Sequence, residues 1–96
     1  MLLDMPYKSG DAVSVKTTGG EEIIARFVEE DKESLTIERP MVVMATAQGL
    51  GLGPYSFTVD PKAKFKLNKN ALVFVHKTEG DMAKQYISST SGIQMV

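Results

Sequence analysis

Three lysines stand at alternate positions in the second half of the chain: Lys62, Lys64 and Lys66, here called the lysine row. Successive side chains of a β-strand point to opposite faces, so this spacing predicts three ammonium groups on one face of a strand. Such a row can follow the phosphates of a nucleic-acid strand. Lysines also protect sheet edges from unwanted pairing. The row therefore indicates either a phosphate-binding surface or a protected edge.

Three aromatic residues lie close to the lysine row in the sequence: Tyr55, Phe57 and Phe65. Proteins that bind single strands commonly stack bases on such side chains. The alternating pattern around them predicts that at least Phe57 and Phe65 are buried. We therefore expect any nucleic-acid contact to be made mainly with phosphate.

Residues suited to catalysis or metal binding are few. The chain has one histidine, His76, and no cysteine, which excludes thiolate metal sites and thiol nucleophiles. The acidic clusters Glu21-Glu22 and Glu29-Glu30-Asp31 fall at predicted turns, where carboxyl groups lack the burial used in general acid–base catalysis. The sequence predicts no enzyme, no cofactor and no metal site, with His76 at the surface near a strand end.

The composition is typical of one ordered domain covering residues 1–96. Hydrophobic residues make up 43% and charged residues 24%, ordinary values for a globular protein. With 11 basic and 12 acidic residues the net charge is −1, which argues against indiscriminate coating of nucleic acid. No signal peptide is recognisable, and the longest apolar runs fall far short of the roughly 20 residues that span a bilayer. We expect a cytoplasmic protein.

Alternating hydrophobicity predicts five short strands. Gly19-Gly20 marks a tight hairpin, Pro40 marks an edge or a bulge within one bent strand, and the glycine-rich stretch Gln48–Pro54 is interpreted as a flexible loop. The fourth strand begins as Tyr55–Val59 and resumes after Asp60-Pro61. The predicted strand ranges are 12–17, 22–29, 34–46, 55–67 with that interruption, and 71–75.

A change of period predicts one helix near 79–90. Met82, Ala83, Tyr86 and Ile87 recur at helical spacing, and Thr78 is placed to cap the first turn. Gly92 follows as a stop. The elements together predict an all-β small barrel of five strongly bent antiparallel strands with a short C-terminal helix.

Two segments carry a resemblance to a known family. Val13-x-Val15, Gly19-Gly20 and the run Ile24-x-x-Phe27-Val28-x-x-Asp31-x-x-Ser34-Leu35-x-Ile37 resemble the first signature of Sm-like (LSm) proteins, and Leu67-Asn68-Lys69-Asn70-Ala71-Leu72 occupies the place of the second. The resemblance covers about residues 11–77. The stretch from Thr46 to Pro54 and the segment Thr90-Ser91-Gly92-Ile93-Gln94 are similar to the Sm-like proteins of marine bacteriophages (cyanophages).

This resemblance implies an Sm-like fold and a ring-forming RNA-binding protein. In the family's geometry a central pore would be lined by two turns, here near 30–33 and 68–70. The candidate RNA contacts at the pore are Lys32, Ser34, Asn68, Lys69 and Asn70, and those of the lysine row are Lys62, Lys64 and Lys66. The sequence departs from the family at Asn68-Lys69, where members carry Arg-Gly, and its turn has no aromatic residue on which a base could stack.

The strand Ala71–Val75 is apolar on both faces, so a monomer would leave one of them in water. The family pairs its fourth strand with the fifth of the next copy, which implies a closed homo-oligomeric ring of about five to seven subunits. The candidate interface residues are Tyr55, Phe57, Val59, Leu72, Val73, Phe74 and Val75. The alternative is a phage-encoded assembly or scaffold module that binds no nucleic acid. If phage-encoded, the protein would act in the host cytoplasm.

Overall fold

The computed structural model of the protein describes residues 6–60 and 62–90. It contains six β-strands and one α-helix, with a single turn of 3₁₀-helix at Lys69–Ala71. The strands are β1 Ala12–Thr17, β2 Glu22–Glu30, β3 Ser34–Thr46, β4 Gly49–Pro54, β5 Lys64–Asn68 and β6 Leu72–Lys77, and the helix α1 is Gly80–Thr90. The mostly-β class, the antiparallel pairing and the C-terminal helix are as predicted.

The strands form one antiparallel sheet in the order β4-β3-β2-β1-β6. Strand β5 lies off this path and pairs with the first half of β3, from Ser34 to Glu38. Strand β4 pairs with the second half, from Met41 to Thr46. The long β3 therefore has two successive partners on one side, and β4, β5 and β6 each have a free edge among the described residues.

The two halves of β3 meet at Arg39-Pro40. Glu38 pairs with Lys64 of β5, and Met41 pairs with Pro54 of β4. On the β2 side the register shifts at the same place, so Arg39 and Pro40 together lie opposite the single residue Ala25 of β2. A bulge of this kind tolerates the missing N–H of proline. The predicted bent strand 34–46 and the bulge at Pro40 are confirmed, and Arg39 has a positive φ of 53°.

One face of the sheet curls around the main core. Val13, Val15, Ile23, Leu35 and Ile37 are fully buried there. Strand β5 adds Phe65 and Leu67 to this cluster, and β6 adds Leu72 and Val75. Both ends of the sheet thus cover the same core.

The sheet does not close into a barrel, which corrects the predicted architecture. Strand β5 bonds to β3 and β6 bonds to β1, but among the described residues β5 and β6 share no ladder. The 3₁₀ turn Lys69–Ala71 connects these two strands across the opening. Alternating hydrophobicity identifies the buried face of a strand but not its partner, so the sequence could not decide closure.

The predicted strand Tyr55–Val59 is wrong, because these residues form bends outside the sheet. The glycine-rich stretch predicted as a loop is β4 instead. Its glycines alternate with Leu50 and Leu52, and Gly53 lies where a β-carbon would come within 2.7 Å of the Met44 ε-carbon. Gly53 thus lies against the end of the Met44 side chain, while Leu52 packs against the second core beside α1.

The second core lies between the sheet and α1. Tyr86 is fully buried against Ala12 and Ile24, with Met41 and Met82 packed around them. The predicted helix 79–90 is confirmed to within one residue, whereas Gly92 lies outside the described residues. Thr78 is buried, and its hydroxyl is hydrogen-bonded to that of Ser14 at 2.8 Å. No helix within 6–60 and 62–90 is long and apolar enough to cross a membrane.

Candidate nucleic-acid interface

Asp31 organises the turn between β2 and β3. Its Oδ1 accepts hydrogen bonds from the backbone N–H groups of Glu33 and Ser34, both at 2.8 Å, and from the Ser34 hydroxyl at 3.1 Å. The two backbone donors are the main reason that the pKa of Asp31 lies below its ordinary value, with the Ser34 hydroxyl adding to them. The spacing Asp-x-x-Ser is typical of a turn closed by an aspartate side chain.

Asn68 organises the turn between β5 and β6 in the same way. Its side-chain Oδ1 accepts a hydrogen bond from the Asn70 N–H at 2.9 Å and so starts the 3₁₀ turn. The Lys69 N–H donates to the Glu33 carbonyl at 2.9 Å, and Asn68 is the register partner of Ser34. The two turns therefore adjoin, and the predicted pore residues are brought together: Lys32, Ser34, Asn68, Lys69 and Asn70.

The charge at this end of the sheet is mixed. Lys69 is half-buried, and its Nζ lies 3.2 Å from the Glu30 carboxylate, which also accepts a hydrogen bond from the Tyr7 hydroxyl at 3.3 Å. Burial raises the pKa of Tyr7, and the neighbouring Glu30 carboxylate raises it further. A small cavity of about 290 Å³ lies beside the turns, lined by both Asp31 and Lys66. Lys69 is thus already paired and is a weak candidate for phosphate.

The lysine row is exposed, as its spacing predicts. Lys62, Lys64 and Lys66 alternate with half-buried apolar residues, although Lys62 lies in the turn before β5 rather than in the strand. Lys64 is the register partner of Glu38 and Lys66 of Thr36. The ion pairs found in the described part of the chain involve Lys69 and Lys77, and none uses the lysine row.

Phe57 is 87% exposed, which contradicts its predicted burial. It lies in the bends that replace the predicted fourth strand, so no sheet face covers it. Phe65 is half-buried against the main core, and its ring meets that of Tyr55 edge to face at 6.2 Å. One of the three aromatic side chains that lie close to the lysine row in the sequence is therefore exposed and available to stack on a base.

The predicted interface residues divide into two groups. Phe57, Val59, Val73 and Phe74 are exposed, whereas Tyr55, Leu72 and Val75 pack against the main core. The register of β6 against β1 shifts so that Val73 has no partner, and this bulge lets Leu72 and Val75 both face inward. The predicted ladder between Tyr55–Val59 and the last strand is wrong, because Tyr55–Val59 is not a strand.

A cleft of about 310 Å³ lies at the bend of β3, and we call it the bend cleft. Its walls come from Tyr55, Val59, Phe65 and the end of α1, and Arg39 is the one charged residue among the described residues that line it. The Arg39 Nη1 donates to the Thr90 carbonyl at 3.3 Å, and the Tyr86 hydroxyl donates to the Arg39 carbonyl at 2.7 Å. The sequence analysis did not predict this cleft. The one feature of the sequence that marks its position is the Arg39-Pro40 pair within β3.

His76 is exposed near the end of β6, where its Nδ1 lies 3.0 Å from the Lys77 carbonyl oxygen. In the described ranges, no three histidine, cysteine or acidic side chains are grouped so that they could hold a metal ion.

Neither a comparison with protein-family models nor one with curated proteins finds a match for this chain.

Proposed function

We propose that the protein is a ring-forming Sm-like protein that binds single-stranded RNA mainly through phosphate contacts. The observation that carries this proposal is the exposed lysine row, which forms no ion pair with the described residues. Lys62 lies in the turn before β5, and Lys64 and Lys66 follow along β5 towards the two adjoining turns. Asn68 and Asn70 continue the same exposed face at the turn. An RNA strand laid along β5 meets lysines first and amide groups afterwards.

The lysine row supports phosphate contact better than base readout. Lysine ammonium groups act as compact point charges, without the planar fork that arginine offers to a base edge. Lys69 contributes less, because Glu30 already neutralises it. Phe57, close to the row in the sequence, is one exposed ring on which a base can stack. Because phosphate contacts dominate, affinity falls with salt and changes little with base identity.

Ring assembly is supported by the free apolar edge of β6. Val73 and Phe74 are 63% and 44% exposed on this edge, and an apolar edge favours pairing with another chain. Since Tyr55–Val59 is not a strand, we place the joint between β6 and the free edge of β4 in the next copy, where Leu50 is also exposed. The edge of β5 is less suitable because it carries lysines. This head-to-tail contact stays finite when it closes into a ring of about five to seven copies.

Binding of fluorescent oligo-U and oligo-A RNA at several salt concentrations tests the RNA contact. The triple variant Lys62→Gln, Lys64→Gln, Lys66→Gln should bind at least tenfold more weakly and show a flatter salt dependence. The matched control Lys8→Gln, Lys16→Gln, Lys84→Gln makes the same change in net charge elsewhere and should bind like the wild type. Equal losses in both variants, or strong preference for one base, would contradict binding through the row.

A second candidate is an assembly module of the same ring without nucleic acid. The observation that favours it is the acidic surroundings of the turns, where Glu30, Asp31 and Glu33 accompany Lys32 and Lys69. A wild-type ring that binds neither RNA at low salt would establish this candidate instead. For a phage-encoded protein, either role would be carried out in the host cytoplasm.

A further inference from the structure

The bend cleft has the chemistry of a site for a planar apolar group that carries a negative charge. Its walls include the rings of Tyr55 and Phe65 and the side chain of Val59. Within 6–60 and 62–90, Arg39 is the one charged residue that lines it, and no carboxylate of these ranges opposes that charge within the lining. An aromatic wall beside a guanidinium group suits a ring by stacking and an anion by hydrogen bonding.

The guanidinium of Arg39 is available for a ligand. Among the residues that the structure describes, one hydrogen bond occupies it, from Nη1 to the Thr90 carbonyl at 3.3 Å, and arginine has five N–H donors. The side chain is half-buried at the cleft, so its charge is partly shielded from water. The remaining donors fit the oxygens of a phosphate.

The backbone at Arg39 does not explain why an arginine stands there. Its φ of 53° lies in the left-handed region, where glycine or asparagine is favoured, and the Tyr86 hydroxyl holds its carbonyl at 2.7 Å. A glycine would satisfy this bend with less strain. Strain of this kind is found where a side chain has a function beyond folding.

The cleft also adjoins the lysine row. Phe65 lies between Lys64 and Lys66 in β5, and its ring faces the side opposite to theirs. An RNA strand that crosses the free edge of β5 can therefore place its phosphates on the lysines and one of its bases in the cleft.

We infer that the bend cleft binds one base of single-stranded RNA between Tyr55, Val59 and Phe65, with the phosphate next to that base on Arg39. This inference rests on the proposed function, since the RNA strand is the one that the lysine row binds. It adds a base-binding position to a surface otherwise argued to contact phosphates.

Calorimetric binding of three small probes to the full chain tests the inference. AMP carries both base and phosphate, adenosine lacks the phosphate, and ribose 5-phosphate lacks the base. We expect AMP to bind at least tenfold more tightly than either of the other two. Equal binding of AMP and ribose 5-phosphate would show that no base enters the cleft and would overturn the inference.

Substitution of Arg39 supplies the second arm. Arg39→Gly should bind AMP at least tenfold more weakly and unfold at the same midpoint as the wild type. If the glycine variant is unstable, Arg39→Asn replaces it, since asparagine also tolerates this φ. The control is Arg26→Gln, because Arg26 is the other arginine of the chain. Its guanidinium carbon lies over the face of the Tyr86 ring, 5.9 Å from the ring centroid. AMP binding that is unchanged in Arg39→Gly, or lost equally in Arg26→Gln, overturns the inference.

The two proposals fail in different ways. If the wild type and Arg39→Gly bind RNA equally and the lysine triple variant binds it weakly, the inference is wrong and the proposed function stands. If AMP binds in an Arg39-dependent way and no RNA binds, the proposed function is wrong and the cleft takes free nucleotides instead.

Discussion

At the scale of single residues, Asp31 shows how one carboxylate fixes a turn. Its Oδ1 accepts three hydrogen bonds, from the N–H groups of Glu33 and Ser34 and from the Ser34 hydroxyl. The geometry brings Ser34 next to Asn68, so the same carboxylate sets the relation between the two turns of the proposed RNA surface. Asp31 is exposed, and the effect of its charge on the stability of the fold can be measured as a dependence on pH.

The first prediction concerns the pH dependence of stability at Asp31. Its folded-state pKa is lowered, so the ionised group stabilises the fold above its ordinary value of 3.8, and this contribution is lost as pH falls through the folded pKa. Asp31→Asn keeps an acceptor oxygen but removes the charge. The wild type should be more stable than Asp31→Asn near neutral pH, by urea unfolding, with the difference shrinking below pH 3.8.

The control for this prediction is Glu21→Gln, which removes an exposed carboxylate from the turn between β1 and β2. Its stability should follow that of the wild type at each pH. A gap between wild type and Asp31→Asn that stays constant down to the acid limit would show that the charge of Asp31 has no part in the turn.

At the scale of elements, α1 and the bend of β3 are held together by one side chain. Tyr86 is fully buried in the second core, and its hydroxyl donates to the Arg39 carbonyl at 2.7 Å. Burial raises the pKa of Tyr86 to about 12, because the charged phenolate would lose its solvation. The helix thus supports the strained residue of the bend through a neutral phenol.

The second prediction is that Tyr86→Phe costs about 0.5–1.5 kcal/mol of unfolding free energy, because the Arg39 carbonyl loses its donor. Tyr86→Ala should cost more, about 3–5 kcal/mol, since it also empties the second core. Chemical denaturation followed by circular dichroism measures both. Equal stability of Tyr86→Phe and wild type would show that the hydroxyl does not brace the bend.

The same residue links stability to alkaline pH. Its folded pKa of about 12 exceeds the ordinary value of 10.0, so the unfolded chain loses this proton first. Stability from Tyr86 is fully present below pH 10 and declines as pH rises towards 12. The Tyr86→Phe variant should lack this part of the alkaline decline, which the difference between the two unfolding curves measures.

At the scale of the whole molecule, the open sheet leaves apolar residues on a free edge. Val73 and Phe74 of β6 are exposed, and the main core cannot cover them because Leu72 and Val75 already face it. A second copy is the simplest cover for such an edge.

The third prediction is that the wild type forms the proposed ring and that Val73→Asp or Phe74→Asp is a folded monomer. A charge on this edge opposes pairing but leaves the ladder to β1 intact. Light scattering at micromolar concentration gives the mass, and circular dichroism checks the fold. The control is Ile87→Asp on α1, where Ile87 is 42% exposed, close to the 44% of Phe74, and the oligomer should persist. A wild-type chain that is a stable folded monomer would contradict ring assembly.

The sequence by itself determined the buried faces and most element bounds. Alternation within 12–17 and 22–29 predicted two strands whose Val13, Val15 and Ile23 are buried, and helical spacing predicted α1, whose Tyr86 is buried. The placing of Lys64 and Lys66 on one exposed face also followed from a local pattern. These features depend on residue period and turn chemistry, which act over a few neighbouring positions.

Tertiary structure decided which edges pair and what lies at the bend. Strand Gly49–Pro54 forms because β3 offers it an open edge along Met41–Thr46, a pairing that no local pattern contains. Tyr55–Val59 alternates like a strand but stays outside the sheet, where β5 and β4 already occupy the two halves of β3. The bend cleft likewise joins β3, β5 and the end of α1, which are distant in the chain. Pairing and cavities depend on such long-range contacts, so only the folded chain reveals them.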